Sequence, residues 1–201
     1  TAACLIVILI NQGLQRHGGD LAIGAYGIVN RISFVFVMIV MGLNQGMQPI
    51  AGYNFGAREF QRVDRVLKLT IFCATAIMTL GFLVAELFPR QLVMIFTTDE
   101  ELIQHSISGM RIVFMMFPII GFQMVTSNFF QSVGMAGKAI FLSLTRQLLF
   151  LLPSLLILPH FFQTNGIWMS MPVADALSSI VSFFMLYSQI KKFKTADQYG
   201  N

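Results

Sequence analysis

Apolar residues run along this chain in long blocks, interrupted at intervals by short polar or proline-marked breaks. A helix needs about 20 such residues to cross a bilayer core. The blocks predict six spans, near residues 1–15, 22–54, 66–88, 104–133, 138–158 and 166–190. The second is too long for one straight crossing, so it is expected to be tilted, bent at Pro49, or both. Pro89 ends the third. Beyond it, Thr97-Thr98-Asp99-Glu100-Glu101 reads as a helix start, with acids on the positive end of the dipole. The pattern predicts an all-α integral membrane protein: a transmembrane lobe over 1–194 and a polar, frayed tail over 195–201.

The stretch Gly42 to Ala57 closes the second block. It carries two Gly-x-x-x-Gly spacings, Gly42/Gly46 and Gly52/Gly56, with Pro49 and several uncharged amides between them. Small residues at this spacing let helix backbones approach closely in lipid. A proline among amides reads as backbone broken beside protein or water. Gln45, Pro49 and Gly52 would share one face if the helix continued through the proline.

Composition agrees with the pattern. The 201 residues are 56% hydrophobic and 11% charged, against about 25% charged in soluble domains. Lys and Arg then set the orientation. Arg58, Arg62, Arg65, Lys68, Lys138, Lys191, Lys192 and Lys194 fall on one set of connections, Arg16 and Arg90 on the other. The rich set is cytoplasmic by the positive-inside rule, which puts the C-terminus inside. The net charge of +4 follows this topology and is no nucleic-acid footprint. Thr1 enters an apolar run directly, so the chain is expected to be a fragment lacking an N-terminal part. Cys4 and Cys73 are expected to be buried thiols within apolar segments.

Enzyme signatures are weak. His17, His105 and His160 never pair at i, i+4, so no helical metal site is written. Gly134-Met135-Ala136-Gly137-Lys138 lacks the spacing and the Ser/Thr of a phosphate loop and reads as a tight turn. No nucleophile elbow appears, and no cofactor is expected. Intramembrane polarity is the remaining signal, because it is costly. Asp175 is the only acid well inside a span, and Ser178, Ser179 and Ser182 share its face. This stripe either lines an aqueous cavity that handles a proton or cation, or holds an acid satisfied by an arginine or by backbone. Arg31 and Arg111 match Asp175 in depth and are its candidate partners, whereas Arg146 reads as too deep. All three arginines are candidate structural charges. Glu86 reads as interfacial. Gln123, Ser127 and Gln131 form another stripe, and Asn11 and Gln12 interrupt the first span.

Gly42-Leu43-Asn44-Gln45-Gly46-Met47-Gln48-Pro49-Ile50-Ala51-Gly52-Tyr53-Asn54-Phe55-Gly56-Ala57 resembles the signature helix end of the multidrug and toxic compound extrusion (MATE) transporters. In the family's order follow Phe88-Pro89 through Asp99, Phe130-Gln131-Ser132-Val133-Gly134 with Lys138, Ser143 to Gln147 with Pro153, and Gly166-Ile167-Trp168 with Pro172, Ala174 and Asp175. The resemblance implies one lobe of a twelve-helix, two-lobe transporter, here the C-terminal six helices, with the missing N-terminal lobe and the bilayer as partners. It implies a multi-pass protein of the plasma (inner) membrane that exports drugs and organic cations by antiport against H⁺ or Na⁺. Some members keep coupling acids on the seventh and tenth helices. Here those spans offer Asn11, Gln12, Gln123 and Ser127 and no embedded acid. That departure favours H⁺ and a coupling aspartate in the other lobe. A related flippase for lipid-linked saccharides, and a membrane-embedded enzyme, are the alternatives.

Overall fold

Breaks in backbone geometry, more than polar loops, divide this chain. In the computed structural model, which describes the backbone of residues 2–199 and the side chains of 4–193 and 195, the described residues are helical almost throughout. The first helix, α1 (Ala2–Gly56), would be about 80 Å long if straight, well over twice a bilayer core. It is broken at Gly19, whose φ of 64° and ψ of −161° lie where only glycine is comfortable. Two segments result, 2–18 and 20–56. Next come α2 (Phe60–Leu87), the short α3 (Pro89–Met94), α4 (Glu100–Phe114) and α5 (Phe117–Ser132). A turn at Gly134, with φ of 75°, leads into α6 (Ala136–Leu144). A π-helical segment, Thr145–Leu151, then passes into α7 (Leu152–Tyr199). That last helix breaks at Gln163, at φ 51° and ψ −127°. Counting α4 and α5 as one bent element, and apart from the short α3, the described chain forms six helical segments.

Pro49 does not break the helix: α1 leaves helical geometry at Gly19 alone. Pro172 likewise sits inside continuous helix, and the break of α7 falls at Gln163. A proline removes one hydrogen bond from a long helix, and its neighbours keep the helical path. A reversal of chain direction needs a residue outside helical geometry altogether. The polar tail also differs from expectation, since α7 runs through Tyr199 and only 200–201 of it lie outside the described backbone.

The fourth predicted span bends by 53° between α4 and α5. Pro118 sits in the first turn of α5, where its missing N–H costs nothing. Phe114 and Phe117 stack across the bend at 3.8 Å between centroids, with Phe36 of α1 edge-on to both. The start of α4 follows the sequence reading: Asp99 caps it, accepting from the N–H groups of Glu101 and Leu102. Arg90 grips Glu100 through two bonds of 2.6 and 2.8 Å, which ties α3 to α4. That guanidinium, helped by Gln104, holds the Glu100 carboxyl below the usual carboxylate range.

α5 is the hub, packing on α1, α2, α6 and α7. Gly121 shows how close the approach is: a Cβ there would lie 2.9 Å from the Ala74 carbonyl of α2. On the outside the helices present large apolar side chains, among them Phe72, Leu149, Phe161 and Phe184. Exposed apolar surface on this scale is a lipid-facing surface. Cys4 and Cys73 are both free thiols, but neither is buried as expected: Cys4 is exposed and Cys73 half-buried, each on a helix whose outer face carries apolar side chains.

Candidate functional site

The site starts from the π segment. A π turn takes up an extra residue and re-aims the side chains at its start, a geometry found often at functional positions. Arg146, second in that segment, donates from Nε to Asp175 Oδ1 of α7 at 2.6 Å. The Asp175 side chain is 4% exposed and that of Arg146 41%. The pair is therefore oriented, with its carboxylate buried and its guanidinium outward. This overturns the partners expected from the sequence. Arg111 pairs instead with Glu86, at 3.5 Å, and Arg31 is exposed with no ion pair among the described residues. The depth estimate treated the fifth helix as regular, whereas the π segment packs more residues into its length. The long arginine stem covers the remaining offset.

Arg146 and Asp175 both line a cavity of about 380 Å³. α5 contributes Gln123, Ser127 and Asn128, α1 contributes Asn30 and Ser33, and α6 contributes Ser143. Phe117, Met124 and Met171 supply apolar wall. Arg146 and Asp175 are the only ionisable groups in this lining among the described residues. A mostly apolar hollow with a few placed polar groups is the usual form of a small-molecule site.

Gln123 joins two helices. Its Nε2 donates to Ser178 Oγ of α7 at 2.5 Å, while its Oε1 is buried without a donor among the described residues. An orphaned buried acceptor costs about 1–3 kcal/mol. The serines of α7 do not line the cavity, and of the two readings of that stripe the geometry gives the second, an acid paired with an arginine. Ser178 and Ser182 are fully buried, with Ser182 Oγ bonding the Ser178 carbonyl, and Ser179 Oγ bonds the Ala176 carbonyl. Hydroxyls that bond their own helix need no water. Of the four polar residues on that face, Asp175 alone lines the cavity.

The MatE family model matches residues 5–156. The chain belongs to the MatE family. Among curated relatives, the multidrug export protein MepA of Staphylococcus aureus (strain MSSA476) is 24% identical over 171 residues, covering 85% of this chain and 38% of MepA. MepA of Staphylococcus haemolyticus (strain JCSC1435) is 23% identical over 181 residues, covering 90% and 39%. Among solved structures, the MATE multidrug transporter DinF-BH is 42% identical, with a TM-score of 0.81 over 93% of this chain and 42% of that one. An outward-facing multidrug resistance MATE family transporter of the MOP superfamily aligns with a TM-score of 0.89 at 20% identity, covering 96% and 44%. The MATE structures are twelve-helix, two-lobe transporters, and this chain spans less than half the length of each relative named.

In this MatE chain the remaining candidates lie away from the cavity. Asn11 is half-buried, Gln12 and Gln45 are exposed, and none of the three lines it. Gln131 is exposed too. The glycine stretch divides unevenly. A Cβ on Gly42, Gly46 or Gly56 would meet nothing within 4 Å, so these three do not pack helices inside this unit. Gly52 does: its Cβ would stand 2.9 Å from the Ser132 carbonyl of α5. Spacing alone cannot tell a packed glycine from one on an open face. Sequence reasoning missed Asn30, Ser33, Asn128 and Ser143. The signal for the first two was present, because Asn30, Ser33 and Val37 share a helical face.

Proposed function

We propose that this chain forms the C-terminal six-helix half of a secondary transporter that exports drugs and organic cations by antiport. The cavity between α5 and the Arg146–Asp175 pair is its half of the substrate pathway, and the two lobes rock around it in alternating access. The basic connections and the C-terminus are cytoplasmic in this reading, and the membrane is the plasma (inner) membrane. One observation carries it: a broad hollow of amides, hydroxyls, Phe and Met in which the two ionisable groups are paired with each other. Such a wall holds varied amphiphiles by apolar contact and adjustable hydrogen bonds, with Met adapting to shape. The names of the MepA and MATE relatives support export as the activity.

The same pair bears on coupling. A cation-coupling site needs an embedded acid without a partner, and Asp175 already has Arg146. The coupling acid therefore belongs to the rest of the whole protein, and H⁺ is favoured over Na⁺. Cells carrying the full-length transporter should extrude a permanently cationic dye, and a protonophore should stop them while removal of Na⁺ does not. Gln123→Leu and Asp175→Asn should each cut extrusion by about tenfold at unchanged protein level, the scale of one hydrogen bond. Extrusion that survives the protonophore would refute proton coupling. Full activity in a well-expressed Asp175→Asn would remove the pair from the pathway.

A further inference from the structure

The oriented ion pair makes this wall of the cavity electropositive, although organic cations are the substrates proposed. Asp175 is buried and engages only the Nε of Arg146. The Nη1 and Nη2 groups have no hydrogen-bond partner among the described residues, and the side chain is 41% exposed where it lines the hollow. Held through Nε, the guanidinium presents its end-on edge, two parallel N–H groups in the geometry that matches a carboxylate. No described acid besides Asp175 lines the cavity to compete for that edge. Amides of Asn30 and Asn128 lie in the same lining, and Phe117, Met124 and Met171 offer an apolar bed.

We propose that Arg146 is a specificity-determining residue that selects substrates carrying a carboxylate beside an apolar body. This rests on the reading of the cavity as a substrate pathway. Asp175 is then a positioning residue, whose part is to orient the fork from the cavity wall while its own carboxylate stays buried. Any positive charge on such a substrate is matched outside this wall, in the half of the transporter beyond this chain. A substrate without the carboxylate still fits the apolar bed but meets an unanswered guanidinium.

Rhodamine B and its ethyl ester test this, since they share one cationic ring system and differ in a free carboxylate. Binding of each to the purified full-length transporter is read by fluorescence polarisation, and export of each is read from cells. The wild type should bind the free acid about tenfold more tightly than the ester, one tenfold step being 1.4 kcal/mol. In Arg146→Gln/Asp175→Asn, which removes both charges together, the preference should fall to parity. Arg146→Lys keeps the charge and loses the fork, so part of the preference should remain. Should the variants not fold, equal binding of both dyes by the wild type still overturns the proposal. Equal binding of both dyes by the wild type, or an unchanged preference in the double variant, overturns the assignment of Arg146 and leaves the export reading standing. A wild type that binds and exports neither dye overturns the export reading, and this assignment with it.

Discussion

At the scale of single residues, the Arg146–Asp175 pair carries the most consequence. A buried carboxylate robbed of its partner costs about 3–5 kcal/mol, while replacing both members of a pair is often nearly neutral. Arg146→Gln should therefore destabilise the full-length protein more than Arg146→Gln/Asp175→Asn does. A double-mutant cycle on unfolding should give a coupling of about 1–3 kcal/mol, towards the low end because Arg146 is 41% exposed. Additive effects would show that the two side chains do not meet. The sequence marked Asp175 as special through its position inside an apolar run. It did not mark the partner, because the register between two antiparallel helices depends on a π segment that no residue pattern announces.

At the scale of helices, the apolar blocks were legible in outline and the breaks between them were not. Long apolar runs mark the helices, because burial in lipid demands them. The sharp interruptions went to Gly19 and Gln163, while Pro49 and Pro172 remained inside helices. The glycines make the same point in packing. Gly52→Leu should force α1 away from the Ser132 carbonyl and lower stability by about 1–3 kcal/mol, as overpacking does. Gly46→Leu meets open space within this chain and should leave its packing intact. Thermal unfolding of the two variants in detergent separates them. Equal destabilisation would mean that Gly46 is also a packing contact, made with a part of the protein beyond these residues.

At the scale of the whole molecule, the cavity exists because the bend of 53° between α4 and α5, the π segment and the long second half of α1 converge on one space. Family membership was readable from the ordered motifs, above all Gly42 to Ala57. The composition of the cavity was readable only in part, through Gln123, Ser127 and Asp175. Its other polar residues come from segments far apart in sequence, and their convergence is a property of the fold. The central claim is that this convergent space takes up substrate. It is tested most directly by thiol labelling in the full-length protein with every native cysteine, Cys4 and Cys73 included, replaced by serine. Ser127→Cys should react with a water-soluble maleimide, and a saturating exported dye should slow that reaction, while Ser178→Cys between the helices stays unlabelled. Labelling of Ser127→Cys at one rate with and without the dye would contradict the account.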